Sequence, residues 1–196
     1  MSREEREKWQ RIYGREGLVH SSEPARFLVE TTAALEPGRA LVLAMGEGRN
    51  AAWLARRGWK VDGIDIAEHA VRKAAARVAA EGGSLAAVVA DLSELPLPRT
   101  RYDLVCVLHY LERALFEPVR AALRPGGAIV WETFTRAHAA LGSPRNPAFL
   151  LDPGELRSRF LDFDIRRYRE LTLDEASGPR AIASLFAFRE PRALTS

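Results

Sequence analysis

What this 196-residue chain has little of narrows it first. It holds one cysteine, Cys106, so it forms neither an intrachain disulfide nor a cysteine-based metal cluster. That thiol lies inside the apolar run "YDLVCVLHY", where burial predicts an inert core group and not a nucleophile. The histidines His20, His69, His109 and His138 stand far apart and show no metal-ligand spacing. No apolar run approaches the roughly 18 residues of a membrane span. The opening "MSREEREKWQ" has no apolar stretch of the secretory kind, so the expectation is a cytoplasmic protein without a membrane partner. Lysine is scarce, since 26 of the 29 basic residues are Arg. Even so, the net charge is only +3, and no block of like charges forms a basic tail. The string "RRYR" at 166–169 is short and interrupted by Tyr168, so nothing points to a nucleic-acid partner.

What is present is an ordinary balance of 47% hydrophobic and 28% charged residues, enough for one domain with a full core. "SREEREKWQRIYG" reads as a charged helix, with Ser2 and Glu5 as a capping box and Gly14 as its stop. "EPARFLVETTAAL" reads as a second helix from its 3.6-residue apolar period. Alternation follows. Strands at 40–44, "WKVDGIDI", "LAAVVAD", "RYDLVCVLHY" and "AIVWETF" are separated by the helices "GRNAAWLARRG", "AEHAVRKAAARVAAEGG" and "LFEPVRAALRPGG". Apolar strands alternating with helices predict an α/β chain with a parallel, doubly wound sheet covered on both faces. After Phe134 a long loop with three prolines, of the kind that often forms a lid, leads to a short helix. Two further strands, "FDIRRYRELTL" and "RAIASLFAFRE", predict a hairpin that adds an antiparallel edge. The expected organisation is one domain over 1–196. It has an N-terminal helical cap (1–36), a cofactor-binding core (37–134), and a loop, short helix and hairpin (135–196).

Ligands of open α/β sheets sit beyond the carboxyl ends of the strands, so the first strand-to-helix turn is the prime candidate site. There Gly46-Glu47-Gly48 removes side chains and permits positive φ, and the following helix start offers free N–H groups. Asp65 ends the second strand, where an acid can accept from both ribose hydroxyls. Asp91 ends the third, where it can accept from an adenine amine. A glycine turn and two acids at successive strand ends read as a nucleoside site. "GEGRNA" also satisfies the dinucleotide fingerprint, so an NAD-linked oxidoreductase competes. That reading lacks a substrate domain, and S-adenosylmethionine, which has no pyrophosphate to cradle, fits better.

The assembly resembles the class I S-adenosylmethionine-dependent methyltransferases, in particular the small-substrate group around tellurite-resistance and thiol methyltransferases. The matching stretches are Ala40-Leu41-Val42-Leu43-Ala44-Met45-Gly46-Glu47-Gly48-Arg49-Asn50, Asp65 in "VDGIDIA", Asp91-Leu92, "YDLVCVLHYL" and "LRPGG". The resemblance implies a Rossmann-like sheet of seven strands in the order 3-2-1-4-5-7-6, strand seven antiparallel. It implies S-adenosylmethionine contacts at Ala44, Gly46, Glu47, Gly48, Asp65, Ile66, Asp91, Leu92 and His109. Two positions depart from the pattern: Val42 replaces an acid and Met45 a cysteine. Loss of the acid leaves open a non-catalytic module that binds S-adenosylmethionine without turnover, unless backbone groups and Glu47 compensate.

Methyl transfer from a sulfonium is an in-line displacement for which the protein mainly supplies alignment. A base is needed only when the nucleophile is protonated, and His109 is the candidate. Tyr110, Glu132 and Arg136 are read as substrate-side residues, along with Thr133 and Arg145, and no metal is expected. Trp9 and Tyr13 on the first helix are expected to close the pocket against the sulfonium by cation–π attraction. The expected partner is a small-molecule methyl acceptor, and the expected state a monomer or homodimer.

Overall fold

A computed structural model describes residues 3–19, 21–174 and 178–190. The capping-box residue Ser2 lies outside them. Among the described residues, six α-helices and seven strands follow in chain order. They are α1 (Arg3–Tyr13), α2 (Arg26–Thr32), β1 (Arg39–Leu43), α3 (Arg49–Arg56), β2 (Lys60–Asp65), α4 (Glu68–Ala80) and β3 (Leu85–Val89). The second half holds β4 (Tyr102–Leu108), α5 (Phe116–Ala122), β5 (Leu123–Phe134), α6 (Glu155–Ser158), β6 (Asp164–Leu173) and β7 (Arg180–Phe188).

The strands form a single seven-stranded sheet in the order β3-β2-β1-β4-β5-β7-β6. Strands β1 to β5 pair in parallel, and β7 runs antiparallel to both β5 and β6. This is the order the resemblance implies. Strand period two assigns each face its core. Leu41, Leu43, Val105, Val107, Ile129 and Trp131 turn toward α5 and α6, where Phe116, Val119, Leu156 and Phe160 meet them. Ala40, Val42, Leu104, Cys106 and Val130 turn the other way, toward Phe27 and Leu28 of α2, Ala51 and Leu54 of α3, and Val71 and Ala74 of α4. With both faces covered, the central strands are apolar throughout, which is why they read as unbroken runs.

The "LRPGG" stop behaves differently from the expectation. Leu123 pairs with Tyr102, the register then slips, and Ala128 pairs with Leu104. The Pro-Gly-Gly segment is thus an irregular entry into β5 and not a turn before it. The first strand also begins one residue early, at Arg39, whose guanidinium is held by Asp62 on β2.

The long loop after β5 is tied at both ends. Thr135 bridges Leu151, and Thr135 N–H donates to Ala181 O at 3.1 Å. Arg113 donates to Ala148 O, Leu150 O and Glu155, so one guanidinium holds the returning strand of the loop.

Candidate active site

The central strands end at one rim, and their ends are strained there. Ala44 follows β1 with φ 50°, and His109 follows β4 with φ 58°. Left-handed conformations of residues with a Cβ cost about 1–3 kcal/mol each and cluster at functional sites. His109 is held in place because its N–H donates to Glu132 O on β5 at 2.7 Å. Beside it, the indole N–H of buried Trp131 donates to Tyr110 O at 3.3 Å and fixes the next residue.

Gly46 (φ 55°) opens the turn after β1, and its N–H donates to Asp65 Oδ2 at 2.8 Å. Ala67 N–H donates to the other oxygen at 2.9 Å. Asp65 thus braces the glycine turn from the end of β2 and keeps lone pairs for a ligand, since an ionised carboxylate accepts about four bonds. Burial pushes its carboxyl above the ordinary range, against the lowering effect of the N–H groups of Ala67, Gly46 and Ile66. Asp91 lies beyond β3 on the same rim. Burial acts to raise its carboxyl too, while hydrogen bonds from Ser93 Oγ (2.7 Å) and N–H (2.9 Å) act to lower it, and on balance the group is held low. Ile66 and Leu92, next to the two acids, are buried.

The N-terminal helix closes over this rim. An added Cβ on Gly46 would lie 3.1 Å from Tyr13 Oη, so the phenol stands directly above the turn. Tyr13 is buried, and Trp9 stacks on it with ring centroids 5.6 Å apart. Burial, then the charges of Asp65 and Glu47, push the Tyr13 hydroxyl up. Burial likewise raises Tyr110, with Glu112, Asp91, Glu5 and Asp65 adding to it. Acids and aromatic rings from α1, β2, β3 and β4 therefore share one electronegative rim. Two shallow, open hollows lie elsewhere on the surface. One of about 330 Å³ is at Gly126 and Asp164, and one of about 390 Å³ is lined by Gln10, Arg11, Gly14, Arg15 and His69 on the outer side of α1.

Several expected site residues have other occupations. Gly48 (φ 78°) also lets α4 approach closely, because an added Cβ would lie 2.6 Å from Ala74 Cβ and 2.8 Å from its Cα. Glu47 turns both oxygens onto Val19 N–H, at 2.9 and 3.1 Å, and pairs with Lys73 at 3.0 Å. Val42 and Met45 lie in the core against α3 and α4, so position 42 does not face the rim. Glu132 is buried beneath α2, accepting from Ser184 Oγ at 2.6 Å and Arg169 at 3.2 Å. Arg136 is exposed and paired with Asp152. Thr133 is buried in β5, Arg145 is exposed, and Cys106 is fully buried with its thiol pushed up by desolvation.

One feature of the rim has no signature in the sequence. His109, Phe134 and His138 form a row of rings at the ends of β4 and β5, with centroids 5.7 and 4.3 Å apart. His138 is buried; its Nε2 meets Ser143 O at 3.1 Å, and its Nδ1 accepts from Ala181 N–H at 3.4 Å. Only β7, a non-local partner, reveals that role.

Among the described residues no helix is long and apolar enough to cross a membrane, and no group of three or more His, Cys, Asp or Glu is placed to hold a metal.

Residues 40–127 match a family model described as a methyltransferase domain. No curated protein matches the chain. Solved structures do. TehB from Haemophilus influenzae is 16% identical over 94% of this chain and 67% of its own, with a TM-score of 0.74. An S-adenosylmethionine-dependent methyltransferase from Mesorhizobium loti is 23% identical over 82% and 96%, with a TM-score of 0.65. A structure described as the conversion of a disulfide bond into a thioacetal group during echinomycin biosynthesis is 20% identical over 97% and 95%, with a TM-score of 0.73. At such identities the likeness is one of fold. The chain thus shares the seven-stranded, Rossmann-like fold of S-adenosylmethionine-dependent methyltransferases, and its residues 40–127 match a methyltransferase domain.

Proposed function

We propose that this chain transfers a methyl group from S-adenosylmethionine to a small-molecule acceptor. The observation that carries the reading is the meeting of Gly46 and Asp65 beneath Tyr13, on which Trp9 stacks, with Asp91 at the next strand tip. In this reading Asp65 accepts from ribose hydroxyls and Asp91 from the adenine amine. The electrostatics favour a cationic ligand over a dinucleotide. Buried Asp65 already occupies the Gly46 N–H that a pyrophosphate would need, and its charge would repel phosphate oxygens at close range. The bound sulfonium supplies a methyl group already activated for displacement. Trp9 and Tyr13 attract that cation through their ring faces, by about 0.5–2 kcal/mol. The closed α1 excludes water from it. His109, at the strained tip of β4, takes the proton of an acceptor that carries one; a thiolate needs no such help.

Calorimetry with S-adenosylhomocysteine tests the reading. Saturable binding is expected, and Asp65→Asn should weaken it by about tenfold or more, the worth of one charge-assisted hydrogen bond. No heat at millimolar ligand, or a thermal shift with NAD in place of S-adenosylhomocysteine, would overturn it.

A further inference from the structure

The polar residues of the glycine turn face the chain itself. Glu47 accepts Val19 N–H with both oxygens, and its side chain is only 4% exposed. Lys73 of α4 donates to Glu47 at 3.0 Å, to Arg15 O at 2.9 Å and to Gly17 O at 2.7 Å, which uses all three of its protons. Asn50 Oδ1 accepts from Ala25 N–H at 2.8 Å, and Arg49 donates to Glu23 O at 3.3 Å. Glu47, Arg49 and Asn50 thus fasten the connector between α1 and α2 to the first strand-to-helix turn. The apolar hold on α1 is small by comparison: Tyr13 against Ala67 and Ala70, with Trp9 and Val19 packed beside them. Tyr13 Oη stands over Gly46 and so covers the turn at which an adenosyl ligand would bind.

We infer that Glu47 and Lys73 are positioning residues that clasp residues 15–19 and thereby hold Tyr13 and Trp9 over the glycine turn, setting how long a bound adenosyl ligand stays. The inference rests on the S-adenosylmethionine reading above. A direct contact between Glu47 and the ligand would give a different pattern. A clasp acts only through the rings it holds, so its loss matters only while those rings are present.

Stopped-flow chase of S-adenosylhomocysteine, followed by tryptophan fluorescence, separates the two in the full chain. Lys73→Met and Glu47→Gln should each speed dissociation about tenfold, because a cover that opens more readily releases its ligand sooner. In a Tyr13→Ala background the same changes should speed it less than about twofold, the non-additivity of residues acting through one another. Equal acceleration in both backgrounds, or none in either, overturns the clasp. Hydrogen exchange of the Val19 amide in the ligand-free protein gives a second readout, expected to quicken in Lys73→Met; unchanged protection also overturns it. If the wild-type chain binds no S-adenosylhomocysteine, the cofactor reading fails together with the residence-time claim, while the exchange measurement still decides whether the clasp exists.

Discussion

Replacing Gly46 by alanine tests the closed cap without any ligand. Two costs add. Gly46 has φ 55°, and an L-residue in the left-handed region costs about 1–2 kcal/mol. The new methyl would also lie 3.1 Å from Tyr13 Oη, so the phenol must give by a few tenths of an ångström. That overlap belongs to the mild end of overpacking, about 1 kcal/mol. The sum is about 2–3 kcal/mol, or roughly 4–12 °C in melting temperature for a chain of this size. The two costs separate in a double-mutant cycle. In Tyr13→Phe the oxygen is gone, and the nearest ring atom, Cζ, lies at 3.7 Å, an ordinary contact. Gly46→Ala in that background should therefore cost about 1 kcal/mol less, leaving the backbone strain alone. Urea unfolding of the four proteins measures it. Identical costs in both backgrounds would mean that Tyr13 does not stand over Gly46, and the account of α1 as a closed cap would be wrong.

Gly48→Ala should be worse than Gly46→Ala, about 3–5 kcal/mol by urea unfolding, because its methyl meets both Cβ and Cα of Ala74 and not the tip of a flexible side chain. Recovery of part of that loss by Ala74→Gly is the check. His109→Asn keeps a residue type that tolerates positive φ while removing the base, so kcat on an amine or alcohol acceptor should fall about 100-fold or more. Rates on thiolates should hold, and an equal fall on both acceptor classes would count against a base. The raised carboxyl of Asp65 binds its proton more tightly in the folded chain than in the unfolded one. Its contribution to stability is thus complete below the unfolded value of about 4 and is lost as pH rises through the native one. Asp65→Asn, which stays neutral, should gain in melting temperature relative to wild type between pH 4 and pH 7; a widening deficit would contradict the sign.

The strands and the rim acids are legible in the sequence because they depend on local patterning, whereas the order of the strands is implied only by the family resemblance. Strands buried on both faces must be apolar runs, and an acid at the end of such a run stands at the rim whatever surrounds it. Contacts across long stretches of chain carry no such mark. Nothing near Glu47 indicates that Val19, 28 residues earlier, will claim its carboxylate. Nothing in β5 tells that Glu132 will find Ser184 and Arg169 on strands still to come. Lys73 reads as one more cation on an exposed helix. Gly48 shows the same limit from another side: a glycine motif announces close approach, but whether ligand or helix approaches depends on where Ala74 falls.

The ties between the first turn and residues 15–25 bear on where this protein can be divided. The matched stretch begins at residue 40, which invites excision of a minimal domain there. A chain severed there would strand the Glu47 carboxylate and the Asn50 amide without their backbone partners and uncover the apolar surface that Phe27 and Leu28 seal. The stretch that matches the family is therefore not a unit that stands by itself; Phe27 and Leu28 of α2 belong to its interior as much as any strand does.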